Sequence, residues 1–120
     1  MVTETRPEEY LKLDSEYLLE AEEFLKKNDL PQASEKLWGA AAEMVKAVAA
    51  KRGVELGTHA SLWAFVEELD RQNPTLGLIE KFSYAGNLHT NFYENWLSSG
   101  YIARGMIVVK DFVAKMKQLL

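Results

Sequence analysis

Residues 31–52 read PQASEKLWGAAAEMVKAVAAKR, and the pattern of this segment determines the fold predicted for the whole chain. Its apolar residues repeat at steps of three and four, which is the period of one face of an α-helix. They form two adjacent stripes, Leu37, Ala41, Met44 and Val48 beside Trp38, Ala42, Val45 and Ala49. Because this helix is apolar over most of its circumference, we expect it to be the central helix of a bundle.

Glycine and proline residues divide the rest of the chain into further segments with helical periodicity. The predicted helices run from Pro7 to about Asn28, from Pro31 to about Arg52, from the Thr58 cap to Gln72, from Pro74 to about Leu97, and from Tyr101 to Leu120. The connections are short, so successive long helices are expected to pack antiparallel. The sequence therefore predicts an all-α antiparallel bundle of about five helices, in one domain that covers residues 1–120.

Composition and motifs exclude several classes of function. The chain has no cysteine, which rules out disulfide bonds, a thiolate nucleophile and zinc sites built on sulfur. Its net charge of −4 argues against non-specific binding to duplex nucleic acid. The sequence contains no HExxH motif, no glycine-rich phosphate loop and no Ser-His-Asp arrangement. We therefore expect neither a metal site nor a cofactor.

The sequence shows no sign of a membrane or export segment. The longest nearly apolar run, Trp38–Ala50, is interrupted by Glu43 and Lys46 and is too short to span a bilayer. Residues Met1–Tyr10 carry three glutamates and no apolar stretch, so no signal peptide is expected. These features predict a soluble, cytoplasmic protein that does not contact a membrane.

Residues 83–97, SYAGNLHTNFYENWL, place a polar run inside an otherwise apolar helix. On a helix, four of the polar residues share one face: Tyr84, Asn87, Asn91 and Glu94. The apolar stripe consists of Leu88, Phe92 and Trp96. One interpretation is a functional site in which His89 acts as an acid or base beside Tyr93 and the other polar groups. The alternative is that these groups satisfy one another's hydrogen bonds and fix the helix register.

The second helix carries charged residues among its apolar ones. Those predicted to face the fourth helix, where they would meet His89 or Asn91, are Glu35, Glu43 and Lys46. The alternative is ordinary solvated charge. Gly39 in mid-helix costs about 1 kcal/mol relative to alanine, which indicates a close helix contact or room for a ligand. The candidate ligand-binding residues of the two helices are His89, Asn87, Asn91, Tyr93, Glu94, Glu35, Lys36 and Lys46. No catalytic residue is assigned.

Two segments carry a resemblance to a known family. They are ASEKLWGAAA at residues 33–42 and LHTNFYE at residues 88–94, and together they resemble the archaeal PaREP family of small helical proteins. That family in turn resembles the HEPN superfamily. The resemblance implies a helical bundle that dimerises and that binds nucleotides, cleaves RNA in toxin–antitoxin or defence systems, or acts as a scaffold. In a toxin–antitoxin pair it also implies a nucleotidyltransferase-like protein partner.

Ribonucleases of the HEPN superfamily carry an arginine, four to six further residues and a histidine, with a polar residue after the arginine. Arg52 and His59 have this spacing, but Gly53 follows the arginine and the pair lies early in the chain. His59 comes directly after the Thr58 cap and is otherwise expected to be a surface residue. Since no arginine precedes His89 at this distance, the sequence departs from the ribonuclease pattern.

Three hypotheses for the function stay open at this point. The first is a binding or interaction module for a nucleotide, an RNA or a protein partner, which the departure from the ribonuclease motif favours. The second is an RNA-cleaving enzyme that uses His89 with Glu94 or Lys36. The third is a homo-oligomer, such as a dimer, in which the polar cluster of the fourth helix is purely structural.

Overall fold

The computed structural model describes residues 7–120, which form five α-helices. They are α1 Pro7–Lys26, α2 Leu30–Lys51, α3 His59–Gln72, α4 Leu78–Glu94 and α5 Ser99–Lys117. No strand occurs in this part of the chain, so the predicted all-α fold is confirmed. None of the described helices has both the length and the hydropathy needed to cross a membrane. The signal-peptide expectation falls largely on residues 1–6, outside the described range.

Helix α2 lies at the centre of the bundle, as predicted, and contacts each of the other four helices. Twelve of its 22 residues are buried, so protein surrounds most of its circumference. Asp29 caps the helix by accepting a hydrogen bond from the backbone N–H of Gln32 at 3.3 Å, and Pro31 lies in the first turn. Gly53, with a φ of 73°, follows the end of the helix.

Contacts along α2 show that both of its main neighbours run antiparallel to it. On the α1 side, Glu20 meets Lys36 and Tyr17 lies against Gly39, so α1 runs backward as α2 runs forward. The α4 side follows the same order, with the pairs Glu35–His89 and Trp38–Phe82. This arrangement brings charged residues from the first half of α2 next to polar residues from the second half of α4.

The connection between α3 and α4 is longer than predicted. Thr58 caps α3 as expected, through reciprocal hydrogen bonds with Ser61 at 3.0 Å each. Helix α4 begins at Leu78 rather than just after Pro74. The reason is Gly77, which precedes the helix with a left-handed φ of 65°.

Helix α4 also ends earlier than predicted, at Glu94 rather than near Leu97. Asn95 follows it in the left-handed conformation, with a φ of 50°, and turns the chain away from the helix axis. Trp96 therefore does not continue the predicted apolar stripe, and it is 69% exposed. The polar run of the sequence thus spans a helix end instead of a helix interior.

The side chain of Asn91 holds this helix end in place. Its Oδ1 atom accepts hydrogen bonds from the backbone N–H groups of Trp96 and Leu97, each at 2.8 Å. Its Nδ2 atom donates to Oγ of Ser34 in α2 at 2.9 Å, and Ser34 in turn donates to the carbonyl of Leu30 at 2.8 Å. Because Asn91 and Ser34 are completely buried, these bonds replace hydration that neither residue retains.

We predict that Asn91→Ala lowers the free energy of unfolding by about 2–4 kcal/mol, because the backbone N–H groups of Trp96 and Leu97 lose their acceptor and the buried Ser34 hydroxyl loses one of its hydrogen bonds. Asn87→Ala is the matched control. Asn87 is exposed and donates one hydrogen bond of 3.3 Å to the hydroxyl of Tyr101, so its loss should cost less than about 0.5 kcal/mol. Urea unfolding of both variants measures the difference, and equal losses would show that Asn91 does not have this role.

Candidate functional site

A cleft of about 420 Å³ opens along α2, beside α1 and the start of α3. Most of its lining comes from α2, which contributes Glu35, Lys36, Trp38, Gly39, Ala42, Glu43 and Lys46. Tyr17 of α1 and residues 56–59 and 62 of the α3 side complete it. The volume falls within the range of sites for small molecules, roughly 300–1,000 Å³.

Gly39 allows the ring of Tyr17 to form one wall of the cleft. A Cβ atom at position 39 would lie 2.9 Å from Cδ2 of Tyr17, which is closer than such atoms pack. On the same wall, Nζ of Lys36 lies 4.7 Å from the centroid of the Tyr17 ring and 3.2 Å from Oε2 of Glu20. The structure therefore shows Gly39 in a close helix contact that also borders the cleft.

Three aromatic rings from three helices converge beside the cleft. Trp38 of α2 stacks on His89 of α4, with ring centroids 5.0 Å apart and planes 25° from parallel. His59, at the start of α3, places its ring edge-to-face against both, at 5.5 Å from Trp38 and 5.2 Å from His89. Trp38 is only 6% exposed, whereas His59 is exposed. The rings thus form a cluster that is buried at Trp38 and faces solvent at His59.

The ring of His89 is oriented by a carboxylate from α2. Its Nδ1 atom lies 2.8 Å from Oε1 of Glu35, and its side chain retains 24% exposure. An ionised carboxylate only accepts hydrogen bonds, so Nδ1 carries the proton and donates it to Glu35. In the neutral ring, Nε2 is then an acceptor for a further hydrogen bond. The pair has the composition of a general base with its orienting group.

The charges that line the cleft balance one another. Two of the lining residues are acidic, Glu35 and Glu43, and two are basic, Lys36 and Lys46. Lys46 lies 3.4 Å from Oε1 of Glu43, and Lys36 is held by Glu20. The cleft therefore presents both donors and acceptors without a strong net field of either sign.

The structure brings together half of the residues that the sequence suggested as ligand-binding. Glu35, Lys36 and Lys46 line the cleft, and His89 contacts three of the lining side chains. Asn91 is occupied by its hydrogen bonds to the end of α4, and Asn87 by the hydroxyl of Tyr101. The candidate residues thus fall into two sets: Glu35, Lys36, Lys46 and His89 lie at the cleft, whereas Asn87 and Asn91 hold α4 in its packing.

Tyr93 and Glu94 lie on the surface, away from the lining of the cleft. Tyr93 is 71% exposed and meets His89 only through the edge of its ring, at 5.7 Å between centroids. Glu94 is exposed, and within residues 7–120 it takes part in no ion pair. The carboxylate that meets His89 is thus Glu35 and not Glu94.

Two residues of the cleft, Trp38 and His59, were absent from the candidates that the sequence suggested. Trp38 fits the apolar stripe of α2, so its spacing predicts only burial. His59 is exposed, as expected for a residue after a helix cap, and no sequence signal places its ring beside Trp38. Arg52 donates a hydrogen bond to the carbonyl of Leu119 at 3.2 Å, and it does not line the cleft with His59.

Comparisons with known proteins identify the family. The sequence profile described as the archaeal PaREP1/PaREP8 family matches residues 9–113. A crystal structure of a protein from Sulfolobus solfataricus superposes with a TM-score of 0.74 and 24% sequence identity, over 98% of each chain, which shows a shared fold. No curated protein matches. Since the family profile covers most of the chain and agrees with the resemblance of residues 33–42 and 88–94, this protein belongs to the archaeal PaREP1/PaREP8 family.

Proposed function

We propose that this protein is a binding module and that its ligand occupies the cleft along α2. The observation that carries this proposal is the convergence of Trp38, His59 and His89 beside a cavity of about 420 Å³. Rings that serve only to fill a core are covered on all sides, whereas the ring of His59 is exposed. Part of this ring is therefore available to a ligand.

A planar heterocycle is the ligand that suits this arrangement. Aromatic side chains bind flat rings by stacking, and each base stacked on such a side chain contributes about 1–3 kcal/mol. The cleft also offers Glu35 and Glu43 as acceptors and Lys36 and Lys46 as donors. A nucleotide combines a flat base with groups that use both kinds of partner. The proposed ligand is therefore a nucleotide, either free or as one unit of an RNA strand.

The charges favour a free nucleotide over a long RNA. A strand of RNA gains most of its affinity from basic residues that displace counterions along the backbone, and this affinity falls steeply with salt. Here the two lysines of the cleft already share carboxylates, and the chain carries a net charge of −4. Binding should therefore depend on stacking and hydrogen bonds within the cleft, with little dependence on salt.

We predict that His59→Ala weakens nucleotide binding by at least about fivefold, which corresponds to the loss of one stacking contact. The measurement is a titration followed by two-dimensional ¹H–¹⁵N NMR, with AMP, GMP, CMP and UMP as separate probes. A short single-stranded RNA is titrated in parallel to distinguish a free nucleotide from a strand. Residues 56–59 and the indole of Trp38 should show the largest shifts.

Tyr93→Ala provides the matched control for this titration. Tyr93 is an exposed ring near His89 that does not line the cleft, so its removal should leave the affinity unchanged. Loss of binding in Tyr93→Ala together with full binding in His59→Ala would place the ligand on the outer face of α4. If none of the probes shifts residues of the cleft, the nucleotide proposal is wrong.

A second candidate function is RNA cleavage, which the contact between Glu35 and His89 favours. In this reaction Nε2 of His89 would accept the proton of a ribose 2′-hydroxyl. The 2′-oxygen would then attack the adjacent phosphorus while the bond to the 5′-oxygen breaks, and a protonated His59 would supply the proton that this leaving oxygen needs. Glu35 would stabilise the imidazolium formed on His89. The products are a cyclic phosphate and a free 5′-hydroxyl.

This candidate predicts that purified protein cleaves cellular RNA and that His89→Ala abolishes the activity. Glu35→Gln should lower it by up to about 10⁴-fold, because an amide does not stabilise the imidazolium formed on His89. Gel analysis of the RNA and the chemistry of the new ends provide the readout. Cleavage that persists unchanged in His89→Ala, prepared in parallel, would come from a contaminating nuclease or from another site.

We further propose that the protein acts in the cytoplasm as a HEPN-like homodimer and pairs with a nucleotidyltransferase-like protein. This proposal is supported by three exposed apolar side chains that a partner could cover, since Tyr93, Trp96 and Ile107 are 71%, 69% and 66% exposed. Sedimentation velocity should give about twice the chain mass of 13.6 kDa. Trp96→Glu or Ile107→Glu should return the protein to a monomer. A monomer at every concentration of the unmodified protein would contradict the dimer.

A further inference from the structure

An acidic residue lies in the packed interface between α1 and α2. Asp14 is only 1% exposed, and within residues 7–120 its Oδ1 atom has no hydrogen-bond partner. A carboxylate buried without a partner costs several kcal/mol in ordinary proteins and is retained only if something compensates it. Neither the cleft chemistry nor the packing of α4 uses this residue.

A second orphaned oxygen lies on the neighbouring helix. Glu43 of α2 is 12% exposed at its side chain, and its Oε1 is held by Lys46 at 3.4 Å. Its Oε2 is buried and, among the described residues, has no hydrogen-bond partner. Two acidic side chains thus each present one buried and unsatisfied oxygen.

The register of the two helices places these residues opposite each other. Glu20 meets Lys36, and Tyr17, three residues earlier in α1, meets Gly39, three residues later in α2. One further turn back along α1 from Tyr17 leads to Asp14, and one further turn forward along α2 from Gly39 leads to Glu43. Because the helices are antiparallel, the two side chains come from successive turns of the same interface.

The electrostatic surroundings agree with this placement. Burial raises the pKa of Asp14 from 3.8 to about 6; Lys117 of α5 opposes this increase, and the negative charge of Glu43 adds to it. The charged groups that surround the pair are therefore Lys117 from α5 and Lys46 from α2.

We propose that Asp14 and Glu43 share one proton, which Asp14 carries and donates to Oε2 of Glu43. A protonated carboxyl has an O–H donor and a carboxylate has only acceptors, so this one proton supplies the missing partner of both oxygens. When the proton is lost to solvent, two carboxylates oppose each other in the interface between α1 and α2. The pair is then a pH-sensitive contact between α1 and α2.

The shared proton changes the stability of the folded protein whether or not a ligand binds in the cleft. Between pH 3.8 and about 6, the folded protein holds a proton that the unfolded chain has released. The folded state therefore binds more protons in this window, and the contribution of the pair to the free energy of unfolding falls as pH rises through it. Above about pH 6, both carboxylates are charged, and the full repulsion between them lowers the free energy of unfolding.

The test uses Asp14→Asn, in which an amide N–H donates to Glu43 at every pH. Thermal unfolding is measured at pH 5 and pH 8, with Glu16→Gln, an exposed site on the same helix, as the control. Asp14→Asn should melt at a higher temperature than the unmodified protein at pH 8, and this advantage should disappear at pH 5. A difference that is the same at both pH values, as expected for Glu16→Gln, would overturn the proposal.

A direct titration keeps the proposal testable if Asp14→Asn does not fold. The carboxyl carbon of Asp14, followed by ¹³C NMR, should titrate with a midpoint near 6. In Glu43→Gln the midpoint should fall, because the neighbouring negative charge is gone. A midpoint of Asp14 in the ordinary range for aspartate, or one that Glu43→Gln leaves unchanged, would show that the two groups share no proton.

Discussion

Helix α2 is surrounded by protein on most sides, so the polar side chains that it carries inward need hydrogen-bond partners within the protein. Ser34 pairs with Asn91 and Glu35 pairs with His89, both on α4, whereas Glu43 pairs with Lys46 of α2 itself and keeps one buried oxygen without a hydrogen-bond partner among the described residues. A buried polar group without a partner costs about 1–3 kcal/mol, which is a large share of the stability of a small domain. The pairs Ser34–Asn91 and Glu35–His89 select one register for α4 out of the several that apolar packing alone would allow.

The number and order of the helices could be predicted because they depend on local signals. Pro31 and Thr58 begin helices, Gly53 follows the end of one, and the apolar spacing of α2 requires burial on several sides. The approach of Glu35 to α4 also followed from spacing, since both helices present their polar residues at helical period. Local chemistry and periodicity thus carry the fold and one contact of the candidate site.

The remaining parts of the candidate site depend on tertiary placement. The end of α4 follows from the two hydrogen bonds that Asn91 accepts from Trp96 and Leu97, and these bonds require Asn91 to be anchored on Ser34. The polar run therefore divides into residues that hold the end of α4 and His89, which lies beside the cleft, and its composition does not reveal this division. His59 joins the cleft because the connection between α2 and α3 folds back along α2.

The walls of the cleft differ in how firmly they are built, and this difference bears on how a ligand would enter. Gly39 lets the Tyr17 ring pack against α2, and Lys36 lies over that ring, so this wall is fixed by the packing of two helices. The opposite wall includes Leu56 and Gly57, which belong to the non-helical connection before the Thr58 cap and His59. Sites gain precision from rigid elements and adaptability from loops. A ligand of the kind proposed would therefore be positioned by α2 and enclosed from the side of His59, and the exposed histidine would be the part of the site that adapts to the size of the ligand.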